Sequence, residues 1–121
     1  MARNRASAKA AGTAFETAIV NYLRQWYPWV ERRAKTGGKD QGDIAGLPLV
    51  IEAKNCVKTS LAQWVAEANV EAENAKVACG VVWFKRVGKT DPAAGYVLMD
   101  GETFRQLLST WVEEYGARYA S

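Results

Sequence analysis

The stretch Asp43–Asn55, "DIAGLPLVIEAKN", sets two short apolar runs around Gly46, Leu47 and Pro48, so it reads as two β-strands joined by a tight turn. With the turn centred on Leu47 and Pro48, Asp43 stands opposite Glu52 and Ile44 opposite Ile51. Strand side chains alternate, so Asp43, Glu52 and Lys54 project from one face while Ile44 and Ile51 turn to the core. A three- or five-residue loop would shift the register by one residue and undo this alignment. Directly opposed side chains have Cβ atoms about 4.5–5.5 Å apart, and two bare carboxylates at that distance repel each other.

Two readings answer that repulsion. Charged strand residues are commonly solvated, and a single wet face of the hairpin is the simpler one. The other places a divalent cation between the carboxylates. Mg²⁺ takes oxygen ligands at about 2.0–2.1 Å and commonly uses one or two carboxylates with waters and a substrate phosphate. Asp43, Glu52 and the main-chain carbonyl of Ala53 are then the metal ligands. The Lys54 ammonium orients the attacking water or steadies negative charge developing on a phosphate.

The rest of the composition narrows the chemistry. The 121 residues contain no histidine, which excludes imidazole general bases, His-ligated metals and Ser-His-Asp triads. Cys56 and Cys79 form no CxxC pair, so they are expected as reduced, mostly buried thiols. Residues 1–58 hold ten Lys and Arg against five Asp and Glu, and residues 59–121 hold six against eight. The basic half is the half with the hairpin, and a basic surface attracts polyanions such as DNA. No run of eighteen apolar residues occurs, and no hydrophobic segment follows the basic start. Neither a membrane span nor a signal peptide is expected, and the location expected is intracellular, in cytoplasm or nucleoid.

Outward from the hairpin, residues 1–11 carry Arg3, Arg5 and Lys9 without apolar period and read as a flexible basic arm, either simply solvated or touching DNA backbone. Residues 12–121 read as a single domain. From Thr13, the residues Phe15, Ile19, Tyr22, Leu23 and Trp26 recur at helical spacing until Pro28. "WVERRAKTGG" reads as a strand. Ser60 opens a second helix with Leu61, Trp64, Val65, Ala68 and Ala72 on one stripe. "CGVVWFKR" reads as a strand buried on both faces, "AGYVLMD" as a further strand, and Asp100 opens a last helix ended by Gly116. The order is αβββα followed by ββα.

Asp43, then Glu52-Ala53-Lys54 on a hairpin that follows a helix and a basic strand, resembles the D…ExK motif of PD-(D/E)XK nucleases, the restriction-endonuclease-like superfamily. With "GTAFETAIVNYL", "ERRAKTGGKDQGDI" and "SLAQW" around it, the arrangement is most similar to the archaeal-type Holliday junction resolvases. The likeness spans about residues 12–86. It implies an α/β fold with an αβββαβ core, a mixed sheet flanked by helices, and a Mg²⁺-dependent endonuclease in which Mn²⁺ substitutes. It makes Asp43, Glu52, Lys54 and Glu16 the catalytic residues, Glu16 completing the metal shell from the first helix. Branched DNA is the expected substrate, with flaps, single strands or duplex ends as the alternative within the fold; a non-catalytic nucleic-acid-binding module is the alternative outside it. Arg32, Arg33, Lys35 and Lys39 are the expected phosphate contacts, Lys58 and Lys85 weaker ones. Gln63 either closes a capping box with Ser60 or serves as an accessory residue beside the site. Resolution of a four-way junction needs two symmetric cuts, so a homodimer is expected, with the C-terminal segments as its interface.

Overall fold

The computed structural model describes residues 4–34 and 38–118. Asn4 caps helix α1 (Arg5–Leu23), its side-chain oxygen accepting the Ser7 N–H at 2.8 Å. The helix takes in residues 5–11, where the sequence suggests a flexible arm. A good cap and an alanine-rich run sustain a helix without any apolar period, and it is apolar period that sequence reading relies on. Arg3 and Lys35 lie outside the described residues.

The chain then forms β1 (Glu31–Arg32), β2 (Ile44–Ala45), β3 (Val50–Lys54), α2 (Leu61–Ala75), β4 (Gly80–Phe84), β5 (Tyr96–Leu98) and α3 (Gly101–Tyr115), with single 3₁₀ turns before β5 and after α3. This is a mixed α/β fold in the order the sequence suggests. The central sheet runs β3-β4-β5, with β3 parallel to β4 and β4 antiparallel to β5. Helix α2 makes the crossover between the two parallel strands.

The hairpin ladder is not formed as expected. Among the described residues β2 pairs with β1, Arg32 facing Ile44, and β3 pairs with β4. Asp43 N–H donates to the Ile51 carbonyl at 3.1 Å, so Asp43 stands beside Ile51 rather than Glu52. The turn at Gly46 is tied to the segment before β1. Gly46 sits at φ +101°, a left-handed conformation that favours glycine, and Trp29 Nε1 donates to its carbonyl at 2.8 Å.

Alternation along β3 sorts the core into two sides. Ile51 and Ala53 join Phe15, Ile19 and Val20 of α1, with Val30, Ile44 and Val81, in the main cluster. On the opposite face Val82 packs under Trp64 and Ala68 of α2. Glycine at position 80 lets that helix approach: a Cβ there would lie 2.4 Å from the Ala68 carbonyl oxygen. Glu52 and Lys54 have the opposite parity to Ile51 and Ala53, so they face α2. Cys79 is buried as expected, whereas Cys56, in the loop after β3, is exposed.

Candidate metal centre

Three elements bring three carboxylates together. Asp40 comes from the loop before β2, Glu52 from the middle of β3, and Glu71 from the third turn of α2, and their ligand oxygens all lie within 4.8 Å of one another. Glu52 and Glu71 are both more than nine-tenths buried. Glu52 Oε2 and Glu71 Oε2 are buried without a hydrogen-bond partner. Unpaired buried carboxylate oxygens are costly, and the cost is relieved by a proton or a cation.

The electrostatics follow from that confinement. Burial, then the hydrogen bond and negative charge of Glu71, push the Glu52 carboxyl up to about 8. Burial also raises Glu71, to about 7, with the charges of Asp40 and Asp43 adding to it, while its hydrogen bond with Glu52 works the other way. The confined pair thus favours holding a proton between its two carboxyls. Replacing that proton with a hard divalent cation suits an all-oxygen donor set of this kind.

Lys54 stands beside the cluster, its Nζ 3.7 Å from Glu52 Oε1 and 3.0 Å from Glu67 Oε2. Burial disfavours the ammonium, but the Glu67 hydrogen bond and the charges of Glu52 and Glu67 outweigh it and hold Lys54 above its ordinary value. It is a fixed cation, not a base. Glu67 is lowered by the Lys54 bond and then by Gln63, whose Nε2 donates to Glu67 Oε1 at 2.9 Å. Gln63 therefore belongs to the site's edge; Ser60 makes no side-chain capping bond, so the capping box is absent.

Asp43 has a different place from the one expected. It is buried, its Oδ2 accepts the Ala53 N–H at 2.8 Å, and it is not one of the three clustered carboxylates. It ties the incoming loop to β3. The loop itself is shaped by Gly42, at φ +91°, where a Cβ would lie 2.6 Å from Val50 Cγ1. Gly42 N–H donates to Asp40 Oδ1 at 2.9 Å, and Asn74 Nδ2 donates to the Asp40 carbonyl at 2.7 Å, which aim Asp40 toward α2.

Glu16 is not brought to the cluster. It lies on α1, on the sheet face opposite Glu52, and is ion-paired with Arg32 at 2.9 Å. Arg33 donates its Nη1 to Gln41 Oε1 at 3.3 Å and its main-chain N–H to the Asp43 carbonyl at 2.8 Å. Arg32 and Arg33 line a cleft with Lys9 and Glu16, and Lys39 is exposed nearby in sequence.

Asp40, Glu67 and Glu71 are the site residues that sequence reasoning does not assign. For Glu71 a signal exists: it falls on the apolar stripe of α2, three residues after Ala68 and seven after Trp64, where a glutamate is out of place. No protein-family model matches the chain, and neither a curated protein nor a solved structure matches it.

Proposed function

We propose that this protein is a divalent-metal-dependent DNA endonuclease of the restriction-endonuclease-like type. What carries the reading is the convergence of Asp40, Glu52 and Glu71, whose ligand oxygens all lie within 4.8 Å of one another, beside the fixed ammonium of Lys54. Asp40, Glu52 and Glu71 would hold Mg²⁺, or Mn²⁺ in its place. Such an ion, when bound, polarises a phosphate and lowers the pKa of a water. The chain's own residues do the remaining work. Asp43 fixes the loop that delivers Asp40 by gripping Ala53. Glu67, itself held by Gln63, orients Lys54, whose protonated amine offers its charge to a phosphate as negative charge develops there. Arg32, Arg33 and Lys39 are phosphate contacts of the basic half, and Glu16 positions Arg32.

Branched DNA remains the proposed substrate, and with it a homodimer, because two symmetric cuts need two sites. One observation favours a pair of chains. Phe104, Leu108, Trp111, Val112 and Tyr115 are all at least 40% exposed and form one apolar stripe along α3. An antiparallel pairing of two α3 helices that sets Leu108 against Trp111 also sets Phe104 against Tyr115 and Arg105 against Glu114, so apolar and charged positions both match.

The test is incubation of labelled branched, flap, single-stranded and duplex DNAs with Mg²⁺ or with EDTA. Cleavage is expected in Mg²⁺ alone, lost in Glu52→Gln while DNA binding persists. A Glu52→Gln protein that cuts at the wild-type rate, or a wild type that cuts none of the four DNAs, overturns the reading.

A further inference from the structure

A second feature lies next to Lys54, at the carboxyl ends of the parallel strands β3 and β4, where open α/β sheets place ligands. The loops that leave these ends are joined by the Lys85 N–H, which donates to the Lys54 carbonyl at 3.0 Å. Between them opens a groove of about 260 Å³ whose lining includes Lys54, Val57, Lys85, Arg86, Val87 and Tyr96. Three of these are cations, and no carboxylate among the described residues lines it.

Its floor is aromatic. Trp64 and Phe84 pack with tilted rings, centroids 5.5 Å apart, and Phe84 and Tyr96 meet edge to face at 5.7 Å, so the rings run from the core outward to a Tyr96 that is 52% exposed. Arg86 places its guanidinium 4.9 Å from the Tyr96 ring centroid. Val57 and Val87 on the two loops are 65% and 95% exposed. The groove thus presents aromatic and aliphatic surface, with Lys85 and Arg86 as the cations of its lining that, among the described residues, carry no carboxylate bond of the kind Lys54 makes to Glu67. A nucleobase attached to a phosphate has the complementary chemistry. A duplex does not, because its base faces are already stacked.

We infer that this groove is a subsite for an unpaired nucleotide of single-stranded DNA, adjoining the acidic cluster through Lys54, which lines both. The inference rests on the nuclease reading for its purpose but not for its chemistry. It makes the favoured substrate one with unpaired nucleotides beside the scissile phosphate, as at a flap or the opened centre of a junction.

The experiment measures binding in EDTA by fluorescence anisotropy, so no cleavage is needed. The probes are an oligothymidylate about twelve nucleotides long, within the reach of one small binding site, an abasic strand of equal length, and a duplex. The wild type is expected to hold oligothymidylate roughly ten-fold tighter than the abasic strand, since stacking acts on bases and phosphate attraction does not. Tyr96→Ser should abolish that difference, Tyr96→Phe should keep it, and Arg86→Gln should weaken it; duplex affinity should be unchanged by either Tyr96 variant. Equal affinity of the wild type for oligothymidylate and the abasic strand overturns the subsite, as does a Tyr96→Ser protein that melts like wild type and binds oligothymidylate like wild type. Base-dependent binding that depends on Tyr96, in a protein that cuts no DNA in Mg²⁺, sinks the nuclease reading and leaves the subsite standing.

Discussion

Glu52 of β3 and Glu71 of α2, both buried, set their carboxyl groups against each other on the sheet face opposite α1. Two acids so placed must share a proton or a cation, and each choice has a measurable consequence.

Without metal, both carboxyls titrate in the folded protein far above their unfolded value, Glu52 near 8 and Glu71 near 7. The folded state therefore keeps protons that the unfolded chain gives up in the ordinary carboxylate range. Stability of the EDTA-treated protein should fall as pH rises from about 5 to about 8.5, by several degrees in melting temperature. Glu71→Gln should reduce the dependence, because it removes one raised carboxyl and the charged neighbour of the other, while burial still holds Glu52 up. A melting temperature that rises steadily over this range would falsify the shared-proton description.

The two aspartates should separate cleanly. Asp40→Asn removes a clustered carboxylate from an exposed loop, so calorimetry should find weaker Mn²⁺ binding with little change in denaturant midpoint. Asp43→Ala strips the Ala53 N–H of its buried acceptor and should lower stability by about 1–3 kcal/mol. If Asp43→Ala leaves stability intact, the latch between loop and strand is not what holds the loop.

Binding of duplex DNA should weaken steeply with salt, with a slope of about −0.9 in log K against log salt for each phosphate contact. Arg32→Glu with Arg33→Glu should reduce both affinity and slope. Glu16→Gln should act in the opposite sense, because it frees the Arg32 guanidinium now held at 2.9 Å. An unchanged slope in the double variant places the DNA surface elsewhere.

Sedimentation should find two copies at micromolar concentration, alone or on a four-way junction, and Trp111→Glu should return the protein to a single copy with its melting temperature intact. Trp111 is 65% exposed, so a charge there costs the fold little but disrupts an apolar helix pair. A wild type that stays monomeric in both states removes concerted junction cleavage and favours the flap or single-strand alternative.

The order of elements was legible in the chain because it is written in local signals: the helical recurrence of Phe15, Ile19 and Leu23, the Asp100 cap accepting the Thr103 N–H at 2.8 Å, and the valine-rich run that became β4. Strand alternation also put Glu52 and Lys54 on a common face, since parity along one strand needs no knowledge of its neighbours. The length of α1 was not legible, because a capped alanine-rich run shows no apolar period. What faces Glu52 was decided only by tertiary structure. β2 takes its ladder from β1, while Asp43 just before it is bonded to Ile51 and Ala53 of β3. The α2 crossover then lays Glu71 over the face of β3 that parity had already given to Glu52. Partners of that kind depend on how separate segments pack, and packing at a distance leaves no periodic trace in sequence beyond one glutamate on an otherwise apolar helix stripe.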